Sequence, residues 1–164
     1  MNPTLLDQYD LTFRPATDKD RSFLRRLYGS TREVEMSMVP WTSEQISEFL
    51  DMQFEAQHKF YHDQFAEAEF SIIMQSSRRI GRLYLDVRKD EIRIIDIALV
   101  PQSRGRGFGV ALLSHILDKA RRLTLPVTIH VEKNNPAMSL YKRLGFVLVE
   151  DQGVYDLMRW NVDN

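Results

Sequence analysis

Three glycines alternate with other residues in the segment Arg104-Gly105-Arg106-Gly107-Phe108-Gly109, which lies between a strongly apolar run and an amphipathic one. Glycines allow successive backbone N–H groups to turn toward one concavity and allow a ligand to approach the main chain. A helix that begins directly after such a loop adds unpaired N–H donors and the positive end of its dipole. The two arginines add positive charge. The segment therefore predicts binding of a phosphate or pyrophosphate.

Other glycine motifs do not fit this segment. A P-loop requires Gly-Lys followed by Ser or Thr, and the chain contains no such triplet. The dinucleotide fingerprint Gly-x-Gly-x-x-Gly requires glycine at position 110, which is occupied by Val110. An RNA-binding Arg-Gly repeat is disfavoured because the run is short and lies inside a folded unit. A glycine-rich turn that only joins a strand to a helix remains the alternative for the loop considered alone.

A second polar and aromatic segment, Asn134 to Phe146, follows about 25 residues later. Asn135 precedes Pro136, which is typical of a helix cap followed by proline in the first turn. Gly145 predicts the end of that helix. Taken by itself, Tyr141 within this helix is best explained as a half-buried core residue.

The two segments together resemble the GNAT N-acetyltransferase superfamily. The first is similar to motif A of that family, (Gln or Arg)-x-x-Gly-x-(Gly or Ala), and Leu99-x-Pro101 resembles the V-x-P that precedes it. The second is similar to the pattern N-x-x-A-x-x-L-Y-x-x-x-G-F. The resemblance extends over about residues 70 to 160, whereas the helical N-terminal part fits in outline only.

This resemblance implies acetyl-CoA as the cosubstrate. In the family, backbone amides of the loop bind the pyrophosphate, and the exposed backbone of the preceding strand pairs with the pantetheine arm. An amide that corresponds to a position near Leu99 polarises the thioester carbonyl. The tyrosine that matches Tyr141 protonates the leaving thiolate. The implied cofactor-binding residues are Ile97, Ala98, Leu99, Val100, Arg104, Gly105, Arg106, Gly107, Phe108, Gly109, Val110, Asn134 and Tyr141.

Acetyl transfer also requires the amine to lose a proton, and here the sequence leaves alternatives open. Many family members carry glutamate where this chain has Arg93. Asp96 interrupts an apolar run and is either a base or acceptor contact, or a buried carboxylate paired with arginine or a helix N-terminus. Glu33 and Glu35 lie where this fold places acceptor contacts, and the alternative for them is a solvated charge run. We predict Tyr141, Asp96 and Glu33 as the catalytic residues.

The histidines are weaker candidates. His130 alternates with apolar neighbours along a predicted strand, so a packed histidine is favoured over a base. His58 and His62 have the i,i+4 spacing that can bind a metal, but no acid-rich third ligand accompanies them. We therefore predict no metal site.

The elements that must position these residues follow from apolar periodicity. This periodicity predicts one α/β domain over residues 1–164, in which a mixed sheet carries helices on both faces. The predicted order of elements along the chain is βααβββαβαββ. A strand–helix–strand unit from 92 to 131 predicts one parallel pair, and residues 30 to 41 are predicted as an irregular loop. The predicted strands are 11–14, 70–75, 80–87, 92–100, 127–131, 146–149 and 154–160, and the predicted helices are 17–29, 42–65, 110–123 and 135–145.

Composition excludes several classes of protein. The 164 residues are 43% hydrophobic and 27% charged, with a net charge of -1, which indicates a globular chain without general attraction for nucleic acid or anionic lipid. The chain has no cysteine, so disulfides, thiolate zinc sites and cysteine nucleophiles are excluded. We expect a cytoplasmic protein, because the N-terminus lacks the features of a signal peptide and no apolar run is long enough to span a membrane. Both a monomer and a homodimer are compatible with the sequence.

The predicted function is N-acetylation of a primary amine on a small molecule or a protein. The alternative is a CoA-binding sensor or interaction module of the same fold that keeps the donor site without turnover. Tyr141 favours the enzyme, and the replacement of the usual glutamate by Arg93 favours the alternative.

Overall fold

The structure is a computed structural model that describes residues 3–163. Seven strands form one sheet: β1 (Leu11–Pro15), β2 (Glu69–Gln75), β3 (Arg78–Val87), β4 (Ile92–Leu99), β5 (Val127–Glu132), β6 (Val147–Gln152) and β7 (Tyr155–Trp160). The helices are α1 (Leu5–Gln8), α2 (Arg21–Ser30), α3 (Glu33–Met36), α4 (Ser43–Gln64), α5 (Phe108–Leu123) and α6 (Met138–Arg143), with 3₁₀ turns at Asp18–Asp20 and Pro101–Ser103.

The predicted mixed sheet is confirmed. Its spatial order is β1-β2-β3-β4-β5-β7-β6, and every neighbouring pair is antiparallel except β4 and β5. These two strands are parallel and are connected through α5. Parallel neighbours need such a long connection because a hairpin can join only antiparallel strands.

Two apolar layers cover the two faces of the sheet. Buried residues of α5 form one cluster with strand residues that include Ile73, whereas Phe54 of α4 and the buried residues of α2 form another with Ile72. Consecutive residues of a strand point to opposite faces. The α5 layer and the α2/α4 layer therefore lie on opposite sides of β2.

The sheet opens between β4 and β5. These strands pair at three positions only, from Ile92–Val127 to Ile94–Ile129. A bulge follows at once, because the register between β3 and β4 shifts across Ile95, and bulges bend a strand and increase its twist. The side of residues 95–99 that faces β5 is left without a strand partner, and we call it the free edge of β4.

The structure also differs from the predicted elements. The short helices α1 and α3 were not predicted, since four residues are too few to show an apolar period. Helix α6 begins at Met138 rather than at Asn135. Strand β6 continues to Gln152, because the hairpin turns only at Gly153-Val154, where Gly153 adopts a φ of +82°.

Within residues 3–163, no helix is long and apolar enough to cross a membrane. The same residues contain no group of three His, Asp or Glu side chains arranged to hold a metal ion.

Candidate active site

The free edge of β4 carries three of the four residues predicted to pair with a cofactor, and the fourth, Val100, follows directly after it. All four are half-buried: Ile97 and Leu99 pack against the α5 layer, Ala98 against the α2/α4 layer, and Val100 against both. Their side chains thus belong to the hydrophobic core. Only their backbone is available to a ligand.

The direction of the backbone groups follows from the β3–β4 register. The N–H of Val100 donates to the carbonyl of Ile80 at 2.8 Å, so Val100 and Ile80 form a hydrogen-bonded pair. Hydrogen-bonded and non-hydrogen-bonded pairs alternate along antiparallel strands, and the next pair is Leu99–Gly81. The N–H and C=O of Leu99 therefore point away from β3 and into the opening beside β5.

The glycine loop begins where β4 ends. Gly105 and Gly107 adopt left-handed φ values of +69° and +86°, a region that other residues rarely occupy. Helix α5 begins at Phe108, and its first N–H groups have no acceptor within the helix. The loop therefore combines turned backbone amides with a positive helix end, which is the arrangement that binds phosphate groups.

The two loop arginines have different environments. Arg104 holds the loop in place, since its Nε donates to the carbonyl of Leu99 at 2.9 Å and its Nη2 to Ser30 Oγ at 3.0 Å. Arg106 lies over the ring of Phe108, with its guanidinium carbon 5.0 Å from the ring centroid. Arg106 has no ion pair among residues 3–163, so its charge is available to an anion.

Tyr9, the residue directly after the unpredicted helix α1, contacts the loop. Its ring meets that of Phe108 edge-on at 5.0 Å. A Cβ atom added to Gly107 would lie 2.7 Å from the Tyr9 hydroxyl. The structure thus requires glycine at position 107 both for its backbone angle and for this close approach.

Tyr141 lies on α6, is 3% exposed, and packs edge-on against Phe146 with 5.5 Å between ring centroids. Its hydroxyl has no hydrogen-bond partner among the described residues. Burial, and secondarily the negative charge of Asp96, raise the pKa of Tyr141 well above the usual value for tyrosine. The hydroxyl is therefore a protonated donor with no competing acceptor.

Asp96 pairs with an arginine from the neighbouring strand. Arg82 Nη2 donates to Asp96 Oδ2 and also to Gln57 Oε1 at 2.9 Å, while its guanidinium carbon lies 4.9 Å from the ring centroid of Tyr84. Arg82 is 3% exposed, and Asp96 raises its pKa against the opposing effect of burial. This geometry favours the second of the two hypotheses for Asp96, a buried carboxylate paired with arginine.

A cavity of about 610 Å³ opens beside the end of β5. We call it the acceptor cavity, because the sequence led us to expect acceptor contacts from Glu33 and Glu35 in this region. It lies between the α3 region, the N-terminal half of α4 and the β6–β7 hairpin. Its lining residues are Arg32, Glu35, Met36, Phe49, Gln53, Glu132, Lys133, Asn134, Val154 and Tyr155.

Arg32 is the centre of the polar wall of this cavity. Its Nη1 contacts Glu35 Oε1 at 3.0 Å and Glu132 Oε1 at 3.2 Å, so it joins α3 to the end of β5. Its guanidinium carbon lies 5.7 Å from the ring centroid of Tyr28. Burial opposes the charge of Arg32, but Tyr28 and the two glutamates raise its pKa overall.

The predicted residues do not all lie in one place. Glu33 is exposed and does not line the acceptor cavity, whereas Glu35 does. Asn134, predicted to contact CoA, lines this cavity, and the carbonyl oxygen of the Asn135 side chain accepts a hydrogen bond from the N–H of Ala137 at 2.8 Å, in the turn before α6. Neither Asp96 nor Tyr141 lines the cavity.

Arg93, which replaces the usual glutamate, lies where β4 and β5 are still paired. It donates to Thr128 Oγ1 at 2.8 Å and to His130 Nδ1 at 2.9 Å. Partial burial, together with the charge of Arg93, lowers the pKa of His130. His130 is nevertheless exposed, so it is a hydrogen-bond partner of Arg93 and not the packed histidine that the sequence favoured.

Several site residues were missed because the sequence offers no local signal for them. Arg82 alternates with apolar residues along β3, a pattern that predicts a solvent-facing side chain, yet it is buried. Arg32 and Glu132 are 100 positions apart. The single feature that pointed to such pairs was Asp96 itself, an acid inside an apolar run.

Comparison with known proteins identifies one family for this chain. Residues 32–146 match the model of the acetyltransferase (GNAT) family. A protein of Bacillus subtilis, named as a candidate ribosomal protein bS18-alanine N-acetyltransferase, is 30% identical over 93 residues. That match spans 52% of this chain and 60% of the relative, so this chain covers less than two thirds of the relative's length.

Solved structures share the fold at low sequence identity. The PaiA N-acetyltransferase of Thermoplasma acidophilum, solved in complex with coenzyme A, is 16% identical with a TM-score of 0.68, over 92% of this chain and 98% of that one. The ribosomal-protein-S18-alanine N-acetyltransferase of Escherichia coli is 19% identical with a TM-score of 0.61, over 93% and 94% of the two chains. The expectation of a GNAT fold is confirmed.

Proposed function

The chain belongs to the acetyltransferase (GNAT) family, and we propose that it transfers the acetyl group of acetyl-CoA to a primary amine by direct attack. The observation that carries this proposal is the free edge of β4, which runs directly into the glycine loop and the start of α5. The edge offers backbone groups to a pantetheine arm, and the loop offers amides to a pyrophosphate. The coenzyme A complex of the Thermoplasma neighbour supports the same cosubstrate.

The backbone of Leu99 is suited to polarise the thioester. Its N–H points into the opening between β4 and β5, and its carbonyl is already occupied by Arg104. A fixed N–H donor at the developing oxyanion stabilises the transition state without reorganisation. The contact with Arg104 keeps this peptide group in a fixed orientation.

Tyr141 assists the leaving thiolate. A CoA thiol has a pKa of about 8.5, like cysteine, and tyrosine ionises near 10 even in water. Because burial and Asp96 raise the pKa of Tyr141 further, the hydroxyl stabilises the thiolate first by donating a hydrogen bond. Asp96, which pairs with Arg82, acts in this proposal as a positioning residue rather than as the base.

The acceptor is the α-amino group of a polypeptide. Two named relatives act on a ribosomal-protein alanine according to their names. The chemistry of the site also supports this class, since Asp96 is paired and Arg93 replaces a carboxylate. An α-amino group has a pKa of about 8, against about 10.4 for lysine, and is partly neutral near pH 7.5 without a strong base. Glu35, rather than Glu33, then contacts the incoming amine.

The test is release of free thiol from acetyl-CoA by the purified protein with matched acceptors. These are an alanine-initiated peptide, the same peptide with a blocked N-terminus and an internal lysine, and spermidine. We expect turnover with the first and at least tenfold lower kcat/KM with the others. Equal rates on the lysine peptide would overturn the acceptor class while leaving the acetyltransferase activity in place.

A second candidate is a CoA-binding module without turnover, which is favoured by the pairing of Asp96 with Arg82. A thermal-shift titration separates the two candidates. Acetyl-CoA should raise the Tm of the wild type, and Gly107→Asp, which places an anion at the pyrophosphate loop, should abolish that response. Stabilisation by acetyl-CoA without thiol release on any acceptor would favour the binding module.

A further inference from the structure

An exposed apolar surface adjoins the acceptor cavity. A second, shallow cavity of about 340 Å³ is lined by Trp41, Gln45, Glu48, Phe49 and Met52. Phe49 lines both cavities, so the two lie on either side of this side chain. We call the three apolar members, Trp41, Phe49 and Met52, the apolar shelf.

The apolar shelf does not contribute to the hydrophobic core. Trp41 is 42% exposed and Met52 is 62% exposed, and the shelf belongs to neither apolar layer of the sheet. Large apolar side chains that are exposed together beside a cavity are typical of a binding surface. Methionine adapts its shape to different apolar partners.

The aromatic part of the shelf is held rigidly. Thr42 begins α4 with a reciprocal capping box, in which Gln45 N–H donates to Thr42 Oγ1 at 3.1 Å and Thr42 N–H donates to Gln45 Oε1 at 2.9 Å. This fixes the chain direction at Trp41, whose ring meets Phe49 edge-on at 5.1 Å. A preorganised aromatic surface binds an apolar side chain with little loss of conformational entropy.

The charged residues of the acceptor cavity indicate which class of acceptor would extend over the apolar shelf. Its wall combines Arg32 and Lys133 with Glu35 and Glu132. A polyamine and a peptide N-terminus both bring an ammonium group to the carboxylates, but only a peptide also brings carbonyl groups that accept hydrogen bonds from Arg32 and Lys133. A peptide whose N-terminus occupies this cavity and whose chain crosses Phe49 brings its next side chains onto the shelf. In an extended peptide, residues follow one another at about 3.4 Å.

We propose that the apolar shelf selects acceptor peptides that carry a large apolar side chain at one of residues two to four. The inference rests on the proposed function and adds a specificity that neither the family nor the fold assigns. The shelf consists of three side chains, which is far less than the ~800 Å² that each partner of a stable protein dimer buries. A peptide side chain is therefore a better fit to it than a second copy of this chain.

The experiment uses the full-length protein and alanine-initiated octapeptides in which residues two, three and four are varied singly between Leu, Phe and Ser. We expect kcat/KM to be about tenfold higher with Leu or Phe than with Ser at one of these positions. Trp41→Ser and Met52→Ser should each reduce the value for the apolar peptide toward that for the serine peptide. KM should change more than kcat, because the shelf lies outside the reacting atoms.

Phe60→Ser is the matched control. Phe60 is 55% exposed on the same helix, eleven positions beyond Phe49, and lines neither cavity. The preference should survive in this variant. Two results would overturn the proposed role of the shelf alone. One is a preference for apolar peptides that also survives in Trp41→Ser. The other is a wild-type protein that acetylates serine peptides but shows no preference for apolar ones. Failure of every peptide overturns the proposed acceptor class as well. A wild-type dimer that Trp41→Ser converts to a monomer would assign the shelf to self-association and overturn the inference.

Discussion

The proposed cofactor side and the proposed acceptor side of this molecule are built in different ways. On the cofactor side, one continuous stretch from Ile97 to Val110 supplies the free strand edge, the glycine loop and the start of α5, mainly through its backbone. On the acceptor side, Arg32 of the α3 region and Glu132 of β5, 100 positions apart, meet only after the chain has folded. A site built from the backbone of one continuous segment can therefore be predicted from local sequence, whereas a site built from side chains that are distant in sequence cannot.

The two sides also differ in how tightly each position is constrained. The left-handed φ of Gly107 and the adjacent Tyr9 hydroxyl leave almost no alternative residue. The ion pairs around Arg32 involve partly exposed groups, and such pairs contribute little free energy. The proposed acceptor side can thus vary without loss of the fold.

Tyr141→Phe tests whether the Tyr141 hydroxyl takes part in the reaction, and it should have the largest effect on kcat. The change keeps the buried ring and removes the hydroxyl, so we expect kcat to fall by about 10²–10⁴ with little change in Tm or acetyl-CoA affinity. Tyr84→Phe is the control, because it removes another buried hydroxyl, one without a partner among the described residues. A decrease of less than about threefold in Tyr141→Phe, where chemistry limits turnover, contradicts the acid role.

The same tyrosine predicts a pH profile. Because its pKa is raised, the hydroxyl keeps its proton through neutral and mildly alkaline pH. We expect kcat to show no decline from loss of this acid up to about pH 10, the ordinary value for tyrosine. A descending limb near pH 8 that disappears in Tyr141→Phe would argue for a lowered pKa instead.

Asp96→Asn tests whether the buried ion pair of Asp96 with Arg82 stabilises the fold between the cofactor side and the acceptor side. Removing the carboxylate leaves Arg82, which is 3% exposed, without its counter-charge. We expect a loss of about 3 kcal/mol in the free energy of unfolding, measured by urea denaturation. The double variant Arg82→Met/Asp96→Leu should recover much of this loss, since an apolar pair needs no counter-charge. An Asp96→Asn protein of wild-type stability but much reduced kcat would restore Asp96 as the base.

Gly107→Ala and Gly105→Ala test how rigid the cofactor side is. Both positions have left-handed φ values, but an added Cβ at position 107 meets Tyr9, whereas at position 105 it enters open space. A non-glycine residue in this region costs roughly 1–2 kcal/mol. We expect acetyl-CoA affinity, measured by calorimetry, to fall more than tenfold for Gly107→Ala and only a few-fold for Gly105→Ala.

A double-mutant cycle identifies the cause of that difference. Adding Tyr9→Phe to Gly107→Ala removes the hydroxyl that the new Cβ would meet and should recover part of the affinity. Equal losses at positions 105 and 107 would show that the backbone angle alone accounts for the effect.

Glu35→Gln and Glu33→Gln test the acceptor side with two neighbouring acids. Glu35 lines the cavity and contacts Arg32, whereas the exposed Glu33 does neither. We expect the acceptor KM to rise about fivefold for Glu35→Gln, with acetyl-CoA affinity intact, and no measurable change for Glu33→Gln. The reverse ranking would return the acceptor contact to Glu33.

The smallest effect is expected from Glu55, which ties α4 to α2. Hydrogen bonds from Arg21 and Arg25 lower the pKa of Glu55 to about 2. A group whose pKa is lower in the folded state stabilises the fold above the unfolded value of about 4.3 and loses this contribution as pH falls through its folded pKa. Because the pair is about 40% exposed, Glu55→Gln should cost about 1 kcal/mol or less at pH 7 and clearly less at pH 2, where Glu55 is about half protonated in the folded state. Denaturation curves of both proteins at the two pH values give this difference.

Sequence patterns identified the strands, the longer helices, the parallel pair and the glycine loop, because each shows a local apolar period or a local motif. The prediction for residues 30 to 41 was incomplete, since the four residues of α3 show no apolar period. The helix predicted over 42–65 agrees with α4, but the exposed position of Trp41 beside it was not predicted. The alternatives for Asp96 were stated from the sequence, and the contact with Arg82 favours one of them.

The sequence alone determined the glycine loop of this protein: Gly105 and Gly107 specify backbone angles that few other residues adopt, so their spacing carries geometric information. Only the tertiary structure decided the environments of Arg82, Arg32 and the apolar shelf. A charged residue in a strand or a loop has the same local pattern whether it is solvated or buried. Its partner is decided by which elements the sheet brings together, and that depends on the burial of apolar surface throughout the chain.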